Sequence, residues 1–210
     1  MWTQQLPPRD RKTHASIGCD IDSSESYAIL ACVNELVIVS LQSSEILHRL
    51  SHPEILYQVQ FLERPGMPLT AITCCQGGYI RFWNVQSGEL QKVHQANLGA
   101  TYSFAISDDL RFLATAGQDM KDRIWRLDEL TMVSAIPYKG NPFQIGFLTG
   151  GEILVRYSPN LDFWSIPDEA ELMTFPEHHS NLAISPDGTH GAIPVPGGIR
   201  LIDWTPIKLR

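Results

Sequence analysis

ISDDLRFLATAGQDMKDRIWRL, residues 106–127, holds two short apolar runs, 112–115 and 123–127, on either side of a polar turn at 116–122 that carries Gly117, Asp119 and Asp122. Runs of strand-favouring residues flanking a Gly/Asp turn read as a β-hairpin. The same phrase returns along the chain. Aligned on the residue that closes the second apolar run, the positions are Val39 (LVIVSL), Trp83 (IRFWNV), Trp125 (RIWRL), Trp164 (LDFWSI) and Ile202 (IRLIDW), at intervals of 44, 42, 39 and 38 residues. A period of that size has room for about four short strands per unit and predicts an all-β chain of about five four-stranded antiparallel units.

These repeats resemble those of WD-repeat proteins, over roughly residues 14–210. The resemblance is carried by SGEL at 87–90 after IRFWNV, by LATAGQD and RIW within 113–125, and by SPDG at 185–188 with IRLID at 199–203. The Trp-Asp pair that names the family reads Trp83-Asn84, Trp125-Arg126, Trp164-Ser165 and Ile202-Asp203, so no blade keeps both letters. The resemblance implies a β-propeller, with blades at about 14–52, 53–95, 97–137, 141–176 and 178–210 behind a linker or ring-closing strand at 1–13. Family members most often close with seven blades. The five units are therefore read as a five-bladed ring or, by preference, as an incomplete part of a larger seven-bladed propeller, since terminal repeats need a cap or closure.

Composition agrees with many short strands and tight turns: 43% hydrophobic, 19% charged, 15 Gly and 14 Pro in 210 residues. Strands are expected at 15–22, 27–33, 36–41 and 46–51, with Asn34-Glu35 as a tight turn, then at 55–62, 69–74, 79–85 and 90–94. The third unit spans 101–136. The fourth has strands at 143–148, 152–157, 161–166 and 172–175, and the fifth at 192–195 and 199–204. Sixteen basic against 23 acidic side chains give a net charge of −7, which disfavours direct nucleic-acid binding and leaves a protein or peptide as the expected partner. Nowhere are there 18 consecutive apolar residues, and residues 1–13 hold no signal-peptide core, so neither secretion nor a membrane span is expected. Four cysteines, Cys19, Cys32, Cys74 and Cys75, have neither zinc-ligand spacing nor a disulfide pattern. A reducing compartment, cytoplasmic or nuclear, fits them. Vicinal Cys74 and Cys75 are read as one buried thiol and one half-exposed thiol on opposite faces of a strand.

The family resemblance implies, in each blade, a buried hydrogen-bonded set of His, hydroxyl, turn Asp and Trp. Here that set is represented by His52 and Trp83 in the second unit, where Gly77 takes the Asp position, and by Thr115, Asp119 and Trp125 in the third, where Asn97 replaces the His. Trp164 and Asp203 continue it. These are read as structural residues, His52 because a lone His without an orienting carboxylate is a poor general base. The resemblance also places the residue four before each first-strand anchor at the mouth of the central channel. Counted from Phe61, Ile106, Phe147 and Ile184, these are Tyr57, Tyr102, Phe143 and Ser180. Three aromatic rings on one rim suit a peptide-binding pocket, with Gln76, Gln118 and His179 as neighbouring polar contacts. The alternative for the rings is packing between neighbouring blades.

The function expected is thus a non-catalytic interaction scaffold that needs no cofactor. Two alternatives are a reader of a modified peptide tail, with the rings as a cage for a cation, and a five-bladed glycoside hydrolase, which needs paired carboxylates. For the latter the first strands offer Asp20 and Asp22. GxSxG, HExxH and phosphate-loop motifs are absent, and His178 and His179, which on a strand would point apart and for which no third metal ligand is evident, are read as a loop pair.

Overall fold

Nineteen strands and no helix occur among the residues that the computed structural model describes, 18–138, 144–148, 151–158, 160–175, 183–185, 189–195 and 197–203. The first sheet holds β1 (Cys19–Ile21), β2 (Tyr27–Cys32), β3 (Glu35–Ser40) and β4 (Glu45–Ser51). The second holds β5 (Leu56–Leu62), β6 (Thr70–Cys75), β7 (Tyr79–Asn84) and β8 (Leu90–Gln95), and the third β9 (Thr101–Ile106), β10 (Phe112–Gly117), β11 (Lys121–Arg126) and β12 (Met132–Pro137). The fourth holds β13 (Gln144–Phe147), β14 (Ile153–Ser158), β15 (Asn160–Ser165) and β16 (Ala170–Phe175). Three described strands make the fifth: β17 (Ala183–Ile184), β18 (His190–Val195) and β19 (Gly198–Asp203). Every sheet is an antiparallel meander, as a repeat of propeller blades requires. None of the described residues forms a helix long and apolar enough to cross a membrane.

Alternation of side chains across each strand gives every sheet two apolar faces, and the core lies between sheets. Ile29, Leu36 and Ile38 of the first sheet meet Phe61, Ala71 and Trp83 of the second. Ile72, Ile80 and Phe82 of the second meet Phe104, Leu113 and Trp125 of the third. Ala114, Ile124 and Ile136 of the third meet Ile145, Phe147 and Leu154 of the fourth. Polar side chains stitch the innermost strands together across these seams. Asp20 accepts from Phe61 N at 2.7 Å. Gln58 accepts from Phe104 N at 3.0 Å and donates to Phe104 O at 2.9 Å, and Ser103 Oγ accepts from Ile145 N at 3.3 Å.

Some local expectations are corrected. The β2–β3 turn is Val33-Asn34 rather than Asn34-Glu35, because Glu35 pairs with Cys32. Val33 sits at φ 55°, a costly conformation for a β-branched residue, and the turn is held from outside: Val33 O accepts from Leu56 N and Asn34 O from His52 N. The hairpin in the opening stretch has a shorter turn than 116–122, since β10 runs to Gly117 and β11 starts at Lys121. Cys74 and Cys75 do face opposite ways, Cys74 toward the third sheet and Cys75 toward the first, but both are fully buried. Residues 1–13, Phe143, His178, His179, Ser180 and 204–210 lie outside the described residues.

Candidate functional site

Tyr57 and Tyr102 occupy matching irregularities in the innermost strands. Leu56 pairs with Cys75 and Gln58 with Cys74, so Tyr57 is an extra residue in β5, and Tyr102 is likewise the extra residue in β9 between Thr101 and Ser103. Such bulges re-aim a side chain away from the pleat. The two rings stack edge to face at 5.3 Å and 70°, and both are half-buried. Burial lifts the Tyr57 hydroxyl above its ordinary pKa. Gln76 and Gln118 lie at the same end of their sheets, each exposed, with their amides bonded to Ile55 O and Ala100 O. The Gln118 side chain accepts from Ala100 N at 3.3 Å, which ties it to the loop entering β9.

The second sheet also holds a buried polar set. Trp83 Nε1 donates to Thr73 Oγ1 at 3.2 Å, and Thr73 Oγ1 lies 3.4 Å from His52 Nε2. Arg81 Nη1 donates to His52 Nε2 at 3.1 Å, so the imidazole proton sits on Nδ1, which faces Glu54 O at 3.2 Å. Burial first, then the Arg81 charge, push the His52 pKa down to about 4, against the pull of Glu54. The imidazole is therefore neutral, and it is not without a carboxylate: Glu54 Oε2 lies 3.6 Å from Nδ1 and 3.1 Å from Arg81 Nη2. Sequence reasoning missed Glu54. A Cβ placed at Gly77 would fall 2.9 Å from Glu54 Oε1, so this carboxylate reaches into the space that a turn Asp would fill.

His52, Glu54 and Cys75 also bring three possible metal-ligand atoms within 4.8 Å of one another. The donor set has zinc character. The Arg81 guanidinium, however, bonds His52, Glu54 and Cys75 Sγ (3.2 Å) at once and already supplies the cluster's positive charge. Burial raises the pKa of Cys75, keeping it a thiol whose S–H faces Glu54.

The third sheet splits the expected set in two. Trp125 Nε1 donates to Thr115 Oγ1 at 3.1 Å. Asp119 accepts from Leu98 N at 2.9 Å and from Asn97 Nδ2 at 3.2 Å, and Arg123 Nη1 lies 2.7 Å away. Burial raises the Asp119 pKa, but these bonds more than offset it and the net shift is downward. In the fourth sheet Arg156 takes the position of Thr73 and Thr115, pairing with Asp162 as those pair with Arg81 and Arg123. A guanidinium has no acceptor, and Trp164 Nε1 is left without a partner among the described residues. Arg156 instead bridges Asp122 and Asp162, each at 2.9 Å, under the Tyr138 ring at 4.9 Å. Asp203 lies exposed at the end of β19.

The carboxylates considered for hydrolysis are engaged by main-chain amides. Asp20 binds Ile21 N and Phe61 N, and Asp22 binds the amides of Ser24, Ser26 and Tyr27. Cavities of about 620, 240 and 520 Å³ open at the other end of the sheets, around the β5–β6 loop, and Arg64 and Met67 line all three.

No protein-family model matches the sequence. Among curated proteins, striatin-3 of Rattus norvegicus, Mus musculus and Homo sapiens is in each case 27% identical to this chain over 124 residues. The match covers 59% of the chain and 14% of the striatin-3 length, so the chain spans only a small part of the curated relatives it matches.

Proposed function

We propose that this chain is a non-catalytic, WD-repeat-type interaction module that engages a protein or peptide at the end of the sheets where Tyr57 and Tyr102 meet. The observation that carries the reading is the pair of equivalent bulges: two adjacent sheets each spend a strand irregularity on presenting a half-exposed tyrosine at the same end. Tyrosines contribute large contact area at low entropic cost. The exposed Gln76 adds polar contact beside them. The local likeness to striatin-3, together with the blade-like four-stranded sheets, supports the reading of a WD-repeat-type interaction scaffold. Phe143 and His179 are proposed to extend the same rim. A modified-tail reader gains no support, because the nearby Asp119 carboxylate is already paired with Arg123.

The test is quantitative affinity capture with the wild-type chain, a Tyr57→Ala/Tyr102→Ala variant and a Met67→Glu variant at the opposite end. The expected outcome is a set of proteins depleted at least tenfold by the tyrosine variant and unaffected by Met67→Glu, with thermal unfolding confirming that both variants fold. Depletion by Met67→Glu alone would move the binding surface to the β5–β6 loop and overturn the rim reading.

A further inference from the structure

Strand register lets each sheet be compared position by position. In the third strand of each sheet, the residues one and three before the Trp position are equivalent, and in the first three sheets they face the sheet that follows. They are Leu36 and Ile38, Ile80 and Phe82, Asp122 and Ile124, and Leu161 and Phe163, all of them buried. In the fifth sheet the Gly191–Ile202 pair sets the same register and puts Ile199 and Leu201 in these places. They are 72% and 76% exposed.

The first sheet shows the converse on its opposite face. Ile21 has the register of Phe61 and Phe147, and Leu41 that of Val85, Leu127 and Ile166. Those five counterparts are buried against a preceding sheet, whereas Ile21 is 57% and Leu41 40% exposed. Large aliphatic side chains at core positions, left in water in register, mark an interface without its partner.

We propose that these two faces are the halves of one intermolecular interface, and that the occupant is a second copy of this chain, seating the outer face of its first sheet on the outer face of its neighbour's fifth. The interface continues one that the chain already builds three times between its own sheets. Both complementary halves are carried by the same chain, and among the described residues neither covers the other. Contact of two different surfaces is head-to-tail, and it closes into a ring or grows as a filament according to the rotation between copies. The inference is independent of the tyrosine rim, which lies at the ends of the strands and not on these faces.

Sedimentation velocity of the wild-type chain from about 1 to 100 μM is the first measurement, with concentration-dependent self-association, to a closed ring or to larger species, as the expected result. Ile199→Asp/Leu201→Asp and Ile21→Asp/Leu41→Asp should each be monomeric. Mixed together they should form a 1:1 pair and nothing larger, since each retains the half that the other lacks. Hydrogen exchange on the wild type provides a readout that needs no substitution: amides near Ile21 and at 199–201 should gain protection as concentration rises. A wild-type monomer at every concentration, self-association that survives either variant, or protection independent of concentration would overturn the proposal, the last by showing that the chain covers its own faces.

Discussion

Asp122 is fully buried, with one carboxylate oxygen on Arg156 at 2.9 Å and the other without a partner among the described residues. Burial outweighs the attraction of Arg156, and with Asp162 and Asp119 nearby the pKa is pushed up to about 7. A carboxyl whose folded pKa lies above its unfolded value binds its proton more tightly when folded. Its contribution to stability is therefore complete below about pH 4 and is lost as pH rises through 7, by at most about 4 kcal/mol. His52 acts in the opposite sense: its folded pKa of about 4 lies below the ordinary 6.5, so its contribution is present above pH 6.5 and fades as pH falls toward 4. The difference between wild type and Asp122→Asn isolates the first effect. Urea unfolding at pH 5 and pH 8 should show the variant gaining about 1–3 kcal/mol on the wild type across that interval. A difference that does not change with pH would show that Asp122 is ionised throughout.

At the scale of the element, the β6–β7 turn is short of a side chain, and a neighbouring loop supplies it. Gly77 carries none, while Glu54, two residues past His52, brings its carboxylate to Arg81 and into the vacant space. Breaking a largely buried pair strands the other charge, so Glu54→Ala should cost about 2–4 kcal/mol. Gly77→Asp alone should also destabilise, by crowding and by repulsion between like charges. Combined, the two should be better than additive by about 1–3 kcal/mol, since the new Asp then serves Arg81 in the space Glu54 has left. Chemical denaturation of the four proteins gives the coupling, and simple additivity would mean that the two positions do not share a site. The fourth sheet shows the cost of departing from this pattern. Replacing a hydroxyl with Arg156 gains a bridge to Asp122 and Asp162 but orphans Trp164 Nε1.

For the whole molecule, three apolar seams join four sheets into one continuous stack, each sheet gripping its neighbours through the same register. Stability in such arrays is a sum of unit and nearest-neighbour terms. Units with a sheet on both faces should therefore open last. Under dilute conditions, amides of β18 and β19 should exchange at least tenfold faster than those of β6 and β10, which are covered on both sides. Equal protection would mean that the outward face of the fifth sheet is covered in solution.

The sequence by itself determined the all-β class, the repeat and most strands, because alternation and turn residues are local properties and five copies reinforce one another. It also put Tyr57 and Tyr102 at corresponding positions, since the repeat preserves register. It misread the turn at Val33, because strand propensity is outweighed there by amides donated from Leu56 and His52 far along the chain. Tertiary structure alone decided how the buried charges are shared. Glu54 with Arg81, Asp20 with the Phe61 amide, and Arg156 between Asp122 and Asp162 join groups on different strands or sheets. Which donor reaches which carboxylate depends on sheets meeting face to face, a separation in space that no spacing along the chain encodes.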